Sequence, residues 1–312
     1  MSLSVDVVIT AYGRSDLTKS CLRHLQRQDL PHRVIVVVNG SVDDEAASIR
    51  RDFPDCEVIE LASNRGYAEA TNRGVAAGSG EVVVLLNNDV DCDPGFLREL
   101  VVPLEERGSA GSSAPLLLRP GRELVDSVGL AADPTLACFP RHQGLPAAGA
   151  AGCRMTPAGP AGAGAAYRRV AWEQVGGLDE NLFAYMEDFD LALQLRAAGW
   201  DCLVAPAAVA VHVGSATHGR RSSGQRENGG FGRGYMLRRY RVMRGRQAFR
   251  ALLTEAIVVL ADAAINRDFA ALRGRLAGWR AARGLEAKPA PPVNAVDSGI
   301  GFNASLRMRR RT

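Results

Sequence analysis

Three short stretches carry side chains able to run a reaction. The first is Leu85-Leu86-Asn87-Asn88-Asp89-Val90-Asp91, which follows an apolar run at 82–86. Acidic side chains released at the carboxyl end of a strand offer hard oxygen donors to Mg²⁺ or Mn²⁺. An ion held there can neutralise a diphosphate and make a nucleotide a better leaving group. Asn and Asp are also common at plain strand-to-turn junctions, so the spacing fits both roles. The second stretch is Tyr185-Met186-Glu187-Asp188-Phe189-Asp190, with three carboxylates in four positions. One of them can take the proton of an acceptor hydroxyl, and all three also suit the start of a helix. The third is His212, near the end of an apolar run at 203–213. A histidine there is either a satisfied core residue or a metal ligand supplied from a distant part of the chain.

Other chemistries lack their motifs. The chain has no G-x-x-x-x-G-K-[ST] phosphate loop, no G-x-G-x-x-G after its first apolar run and no G-x-S-x-G elbow. Kinase, dehydrogenase and hydrolase activities thereby lose their main sequence support.

The elements that must position these residues alternate through the first hundred positions. Short β-branched runs at Val5–Thr10, Val34–Val38, Val58–Leu61 and Val82–Leu86 are separated by helical stretches. Those helices read as Asp16–Gln28, Asp43–Asp52, Tyr67–Gly78 and Pro94–Arg107, with Asp43 and Asp44 as caps and Pro94 in a first turn. Strands buried on both faces between helices predict an α/β fold with a mostly parallel, Rossmann-like sheet. Ligands of such sheets gather beyond the carboxyl ends of the strands. Ala11-Tyr12, Asn39-Gly40-Ser41, Asn64-Arg65-Gly66 and the Asn87–Asp91 segment should therefore meet on one edge.

Beyond residue 140 the pattern loosens. Arg141–Ala166 is rich in Gly, Ala and Pro and reads as mostly loop. Helices follow at Val170–Val175 and about Glu187–Ala198, then a buried strand at Leu203–Val213. Gly214–Gly234 reads as a mobile lid. From Tyr235 onward basic helices are expected, with a poorly ordered end. The expected division is a catalytic domain at 1–232, with halves at about 1–110 and 111–232, and a basic helical extension at 233–312.

Composition is that of a globular protein: 312 residues, 46% hydrophobic and 23% charged. The six cysteines are scattered, which argues against a structural zinc site or a disulfide framework. The amino-terminal segment lacks the pattern of a signal peptide, and no apolar run reaches the ~18 residues of a membrane span. A cytoplasmic location is the expectation, with peripheral contact at the inner face of the membrane as an addition. Charge is divided along the chain. Residues 233–312 hold 17 Lys+Arg against 5 Asp+Glu, a net of +12, whereas residues 1–232 have a net of −8. A basic stretch such as Tyr235–Arg241 is either a solvated helix face or a surface for anionic membrane. Nucleic acid is not expected, because no recognised module surrounds the basic residues.

Taken in order, these segments resemble family 2 glycosyltransferases of the GT-A fold, with the bacterial rhamnosyltransferase-like branch nearest. The resemblance runs from about Val5 to His212 and continues weakly into the tail. It implies that Thr10, Ala11 and Tyr12, with Asn39 and Gly40, line the nucleotide base and ribose. Asn64, Gly66, Tyr67 and Asn72 would lie near ribose and diphosphate, together with Asn87 and Asn88. Asp89 would be the principal metal ligand, with Asp91 and His212 completing the site for Mn²⁺ or Mg²⁺. Asp188, with Glu187 beside it, matches the E-D motif whose Asp is the usual base. The segments Gly162–Arg169 and Gly176–Glu180 match the acceptor-side motifs. Val38 stands where the family usually has an Asp that contacts the base, and Asn87 where its metal motif usually opens with Asp.

The implied reaction is inverting transfer of a hexose, with a deoxyhexose such as rhamnose favoured. The donor would be a dTDP-, UDP- or GDP-sugar. The acceptor would be a hydroxyl on a glycan, a lipid-linked sugar or a small natural product. The rivals are a nucleotidyltransferase, whose basic phosphate-binding signature is missing, and a non-catalytic sugar-nucleotide-binding or membrane scaffold.

Overall fold

The computed structural model describes residues 3–41, 44–152, 156–214 and 222–309. The first four strands are β1 (Val5–Ala11), β2 (Arg33–Asn39), β3 (Glu57–Leu61) and β4 (Val82–Asn87). They alternate with α1 (Ser15–Leu25), α2 (Glu45–Asp52) and α3 (Tyr67–Ala77). All four strands run parallel in the order β3-β2-β1-β4. Their period of two divides the core between two faces. Val7, Ile9, Val84 and Leu86 pack with Leu22 and Leu25 of α1 and Ile49 of α2. Val8, Ile35, Val83 and Leu85 pack on the other face with Ala68 and Val75 of α3. Every one of these side chains is apolar because neither face meets water.

The second half turns the sheet into a mixed one. After β5 (Val90–Cys92) and α4 (Phe96–Glu106) come β6 (Ala110–Leu118), β7 (Val125–Ser127) and the hairpin β8 (Leu130–Ala132) and β9 (Cys138–Pro140). Then follow β10 (Gly164–Arg168), α5 (Arg169–Val175), α6 (Glu187–Ala197) and β11 (Asp201–His212). β10 enters antiparallel between β4 and β6, β11 lies parallel to β6, and β5 closes the edge antiparallel to β11. The parallel sheet expected from the sequence is therefore its first half, and the remainder is mixed.

Several expectations are corrected. Pro94 lies before α4, which opens at Phe96, so it does not occupy the first helical turn. Asp44 is at the cap position of α2 but makes no side-chain capping bond, and Asp43 falls outside the described residues. The segment expected as loop at 141–166 contains the start of the central strand β10 and a 3₁₀ turn at Ala147–Gly152. Gly164, Ala165 and Ala166 are small because β10 packs between β4 and β6.

The expected lid is a helix from Ser223 onward, since α7 covers Ser223–Arg239; residues 215–221 lie outside the described residues. Its glycines serve close helix packing. α7 crosses α9 (Ala270–Ala281) so tightly that a Cβ on Gly230 or Gly234 would overlap the α9 backbone, and one on Gly274 or Gly278 the α7 backbone. Two Gly-x-x-x-Gly faces meet, and helix propensity yields to interhelical contact. The boundary expected after residue 232 falls inside this helix. The end of the chain also differs from expectation. After α8 (Ala248–Asn266) and α9, a 3₁₀ turn at Val293–Ala295 and α10 (Phe302–Arg309) pack back onto the body. Residues 233–309 share a core with the catalytic half: Phe189 and Leu193 of α6 pack with Met236, Leu237 and Ala251.

Candidate active site

β5 pairs with β11 so that Val90 faces His212. That register places Asp89, just past β4, beside the histidine: Asp89 Oδ1 and His212 Nε2 are 3.4 Å apart. The Gly214 backbone N–H donates to Asp89 Oδ2 at 3.1 Å, and the Val213 N–H donates to the Asp89 carbonyl at 3.0 Å. On its other side, His212 Nδ1 lies 2.8 Å from Asp126 Oδ2 on β7. An Nδ1–H donated to Asp126 leaves Nε2 as the nitrogen facing Asp89. Burial, the largest influence, works to lower the imidazole, but the Asp126 and Asp89 carboxylates outweigh it and raise His212 to about 9. Burial likewise works against the Asp89 carboxylate, and His212 with the Gly214 N–H holds it below its usual value.

This pair fits a divalent ion. A carboxylate oxygen and an imidazole nitrogen 3.4 Å apart approach the ~3 Å between neighbouring ligands of an octahedral ion bound at about 2.1 Å. Mixed O and N donors suit Mn²⁺. No group of three or more His, Cys, Asp or Glu able to hold a metal occurs among the described residues. Asp91 does not join the pair. Its Oδ1 accepts from Ser20 Oγ at 2.9 Å and sits 3.8 Å from His24 Nε2, both on α1. Asp89 lies in the turn before β5, outside the strand, so strand alternation does not bring Asp91 to its side.

The second carboxylate group opens α6. Tyr185 and Met186, which precede it, both have positive φ, 72° and 75°. Such backbone is costly for non-glycine residues and is retained where the surroundings enforce it. Here α7 runs directly behind, with Gly232 against the Tyr185 carbonyl. Asp188 Oδ2 accepts from the Gly162 N–H at 2.8 Å and Oδ1 from the Phe189 N–H at 2.7 Å. Glu187 is buried, and its Oε2 has no hydrogen-bond partner. Burial, and then the neighbouring Asp188 charge, push Glu187 well up. Burial raises Asp188 too, against the two N–H donors. Of the two, Asp188 is the better-solvated anion, because two donors stabilise its charge.

The two groups are linked through the turn that leads into β10. Gly162 holds Asp188, Ala163 accepts the Asn87 N–H at 3.0 Å, and Asn87 leads to Asn88 and Asp89. Tyr67 spans the gap, with Oη donating to the Gly162 carbonyl at 3.3 Å. Burial raises its phenol, and the charges of Glu187, Asp188 and Asp89 all add to that rise.

Most of the residues expected to line the nucleotide follow the carboxyl ends of β1 to β4, in unequal roles. Tyr12 is 40% exposed, and Ala11 is buried at the end of β1. Thr10 Oγ1 is 3.0 Å from Thr71 Oγ1. Asn39 is buried and used as a brace: its amide donates to Asn64 Oδ1 and the Gly66 carbonyl, both at 3.1 Å, and accepts from the Arg65 N–H at 2.9 Å. Asn64 in turn accepts the Gly66 N–H at 2.9 Å. Gly40, with φ +74°, abuts the backbone of Ser63 and Asn64 so closely that no Cβ fits. Asn88 donates to Thr18 Oγ1 at 3.1 Å. Asn72 is set apart from this edge. It clamps the acceptor-side segment, bonding the Leu178 carbonyl and Glu180 Oε1 at 2.9 Å and the Leu178 N–H at 3.0 Å.

Two further carboxylates, for which the sequence offers no signal, join the site's surroundings. Asp126 lies on a three-residue strand with no motif around it. Glu45, buried at the start of α2, accepts from Thr18 Oγ1 and the Gly13 N–H, both at 3.1 Å, and from Ser41 Oγ. It ties together the turns after β1 and β2. A helix-start glutamate gives no sign of that reach.

A sheet of this order, with acidic groups just past β4 and in the first turn of α6, is that of the GT-A fold. The profile "Glycosyl transferase family 2" matches residues 6–124, and "Glycosyl transferase family group 2" matches residues 146–279. The N-acetylglucosaminyl-diphospho-decaprenol L-rhamnosyltransferase of Mycobacterium tuberculosis is 29% identical over 214 residues, covering 61% of this chain and 69% of the relative. Among solved structures, the mannosyltransferase PcManGT from Pyrobaculum calidifontis, in complex with GDP-Man and Mn²⁺, aligns with a TM-score of 0.57 at 20% identity. That alignment covers 92% of this chain and 77% of the other. Residues 1–349 of S. aureus TarS with UDP-GlcNAc align with a TM-score of 0.54 at 15% identity, covering 75% and 67%. The chain belongs to the family 2 glycosyltransferases. It is an enzyme that draws on a sugar-nucleotide donor.

Proposed function

We propose that the chain transfers a hexose, with a 6-deoxyhexose such as rhamnose favoured, from a dTDP-, UDP- or GDP-sugar to an acceptor hydroxyl with inversion. The carrying observation is the convergence of Asp89–His212 and Glu187–Asp188 on one edge, bridged by 162–163 and Tyr67. Rhamnose is supported by the mycobacterial relative, whose name also points to a lipid-linked acceptor. A glycan or a small natural product remains within the same acceptor class.

Asp89 and His212 would hold Mn²⁺ or Mg²⁺, and Asp126 would keep the His212 Nε2 lone pair directed at the ion. When bound, the ion supplies charge neutralisation to the departing nucleoside diphosphate. Asp188 accepts the acceptor proton, and the freed hydroxyl oxygen attacks the anomeric carbon on the face opposite the leaving group. The N–H groups of Gly162 and Phe189 keep Asp188 anionic and aimed. Glu187, buried without a partner for Oε2, holds its own proton and leaves the charge on Asp188. Positioning and preorganised charge supply most of the acceleration.

The test is to incubate the chain with Mn²⁺ and each nucleotide sugar in turn, with a polyprenyl-diphosphate N-acetylglucosamine as acceptor. Nucleoside diphosphate release and a product with inverted anomeric configuration are expected. Pyrophosphate release, or donor binding without turnover on any acceptor, would replace the transferase mechanism with one of its rivals.

A further inference from the structure

The basic stretch at Tyr235–Arg241 that the sequence offers for membrane contact is largely internal: Tyr235, Met236 and Leu237 are buried. The outward surface is on the next helix. α8 runs for 19 residues, ~28 Å. Phe249, Leu252, Leu253, Ile257 and Leu260 are all exposed on it, Phe249 at 77% and Leu260 at 69%. Their spacing of i, i+3, i+4, i+8 and i+11 places them on one stripe. Ile265 in the last turn of α8 and Phe269 just after the helix are also exposed, at 73% and 60%, but lie off this stripe.

The polar residues of α8 are divided in a way that leaves this stripe without a negative charge. Glu255 faces the body and pairs with Arg233, Arg275 and Arg309 at 2.8, 2.8 and 2.7 Å. Asp262 pairs with Arg226 at 3.0 Å. Arg250 also turns inward, donating to the Ile300 carbonyl at 2.7 Å. Outside, the helix is bracketed by arginines that remain exposed: Arg241, Arg244 and Arg246 before it, and Arg267 after it. An apolar stripe of this size on a soluble surface marks an interaction site.

We propose that α8 lies in the plane of an anionic lipid bilayer, its apolar stripe in the acyl boundary and its bracketing arginines on the phosphates. Charge complementarity selects this occupant. A second copy of the chain, docked on the same stripe about a two-fold axis, would set Arg244 and Arg246 of one helix against Arg267 of the other. Anionic headgroups neutralise both ends, and the geometry is that of an interfacial amphipathic helix. Membrane attachment of this kind is independent of which sugar is transferred, and its readout is not turnover.

The experiment is co-sedimentation of the full chain with vesicles of phosphatidylcholine alone or mixed with phosphatidylglycerol, at low and high salt. Binding to the mixed vesicles is expected, at least about tenfold stronger than to phosphatidylcholine and weakened by salt. The double substitution Leu252→Glu with Leu260→Glu should abolish it with an unchanged melting temperature, because both side chains are exposed. Arg244→Glu with Arg246→Glu should reduce the preference for phosphatidylglycerol and leave the fold intact. Equal binding by the leucine variant overturns the proposal, as does absence of binding to either vesicle. A solution dimer dispersed by the same leucine substitutions, with no vesicle binding, assigns the stripe to a second copy instead.

Discussion

Lys288 Nζ lies 2.7 Å from the Asp179 carboxylate, joining the carboxyl-terminal extension to the acceptor-side segment Gly176–Glu180. The same ammonium pairs with Asp190 on α6, two residues after Asp188. Tyr235 Oη donates to Asp179 at 2.9 Å, and Tyr240 Oη donates to Asp190 Oδ1 at 2.9 Å. The extension is thus a wall of the catalytic half, and one of the chain's two lysines is spent on it.

Lys288→Met leaves the buried Asp190 and the half-buried Asp179 without their shared ammonium, and should destabilise the fold by about 3 kcal/mol in urea unfolding. Burial alone would raise Asp179, but Lys288 outweighs it and holds the carboxyl down at about 2. A carboxylate lowered on folding stabilises the native state above its unfolded value of 3.8, and that share is lost as pH falls through about 2. Asp190, fully enclosed, is pushed up by burial in spite of the same ammonium, and offsets part of the gain. The variant should show a shallower acid limb than the parent in stability measured against pH.

Asp126→Asn should lower Mn²⁺ affinity by about 10–100-fold, through loss of the charged partner at His212 Nδ1. Asp89→Ala should lower it further. Metal titration of the protein with nucleoside diphosphate present reads both. An Asp126→Asn variant with parental affinity would mean that His212 is positioned without that bond.

Asp188→Asn should reduce transfer by on the order of 100- to 10,000-fold while donor binding persists. Glu187→Gln, which keeps a neutral side chain where a protonated one is proposed, should retain transfer within about tenfold. Because the base must be ionised, kcat/KM should rise with pH through the Asp188 titration. Burial places that limb above the ordinary carboxylate value of 3.8. If Glu187→Gln is the silent enzyme and Asp188→Asn the active one, the roles are exchanged.

Gly234→Ala should destabilise the α7–α9 crossing by about 1–3 kcal/mol, since the new Cβ would overlap the Arg275 carbonyl. Gly229→Ala, on the same helix with open space around its Cα, should instead stabilise by roughly 0.5–1 kcal/mol. Thermal melts of the two variants should shift in opposite directions.

The sequence by itself determined the parallel half of the sheet, with its helices and the edge formed by the carboxyl ends of its strands. β-branched runs separated by amphipathic segments leave few other ways to bury both faces of β1, β2 and β4. It also singled out Asp89, His212, Glu187 and Asp188 as candidates, since their types and order persist in the chain whatever surrounds them. Local composition misled where contacts outweighed propensity. Glycines that read as a lid build α7, because small residues serve helix crossing as well as mobility. Only the tertiary structure decided how the acidic groups were shared out. Asp89 meets His212 because β5 pairs with β11 in one register, while Asp91, two residues on, is directed to Ser20 and His24. Asp126 and Lys288 joined the catalytic half from segments without a motif, because a carboxylate or an ammonium acquires its role from the partner that folding brings within reach.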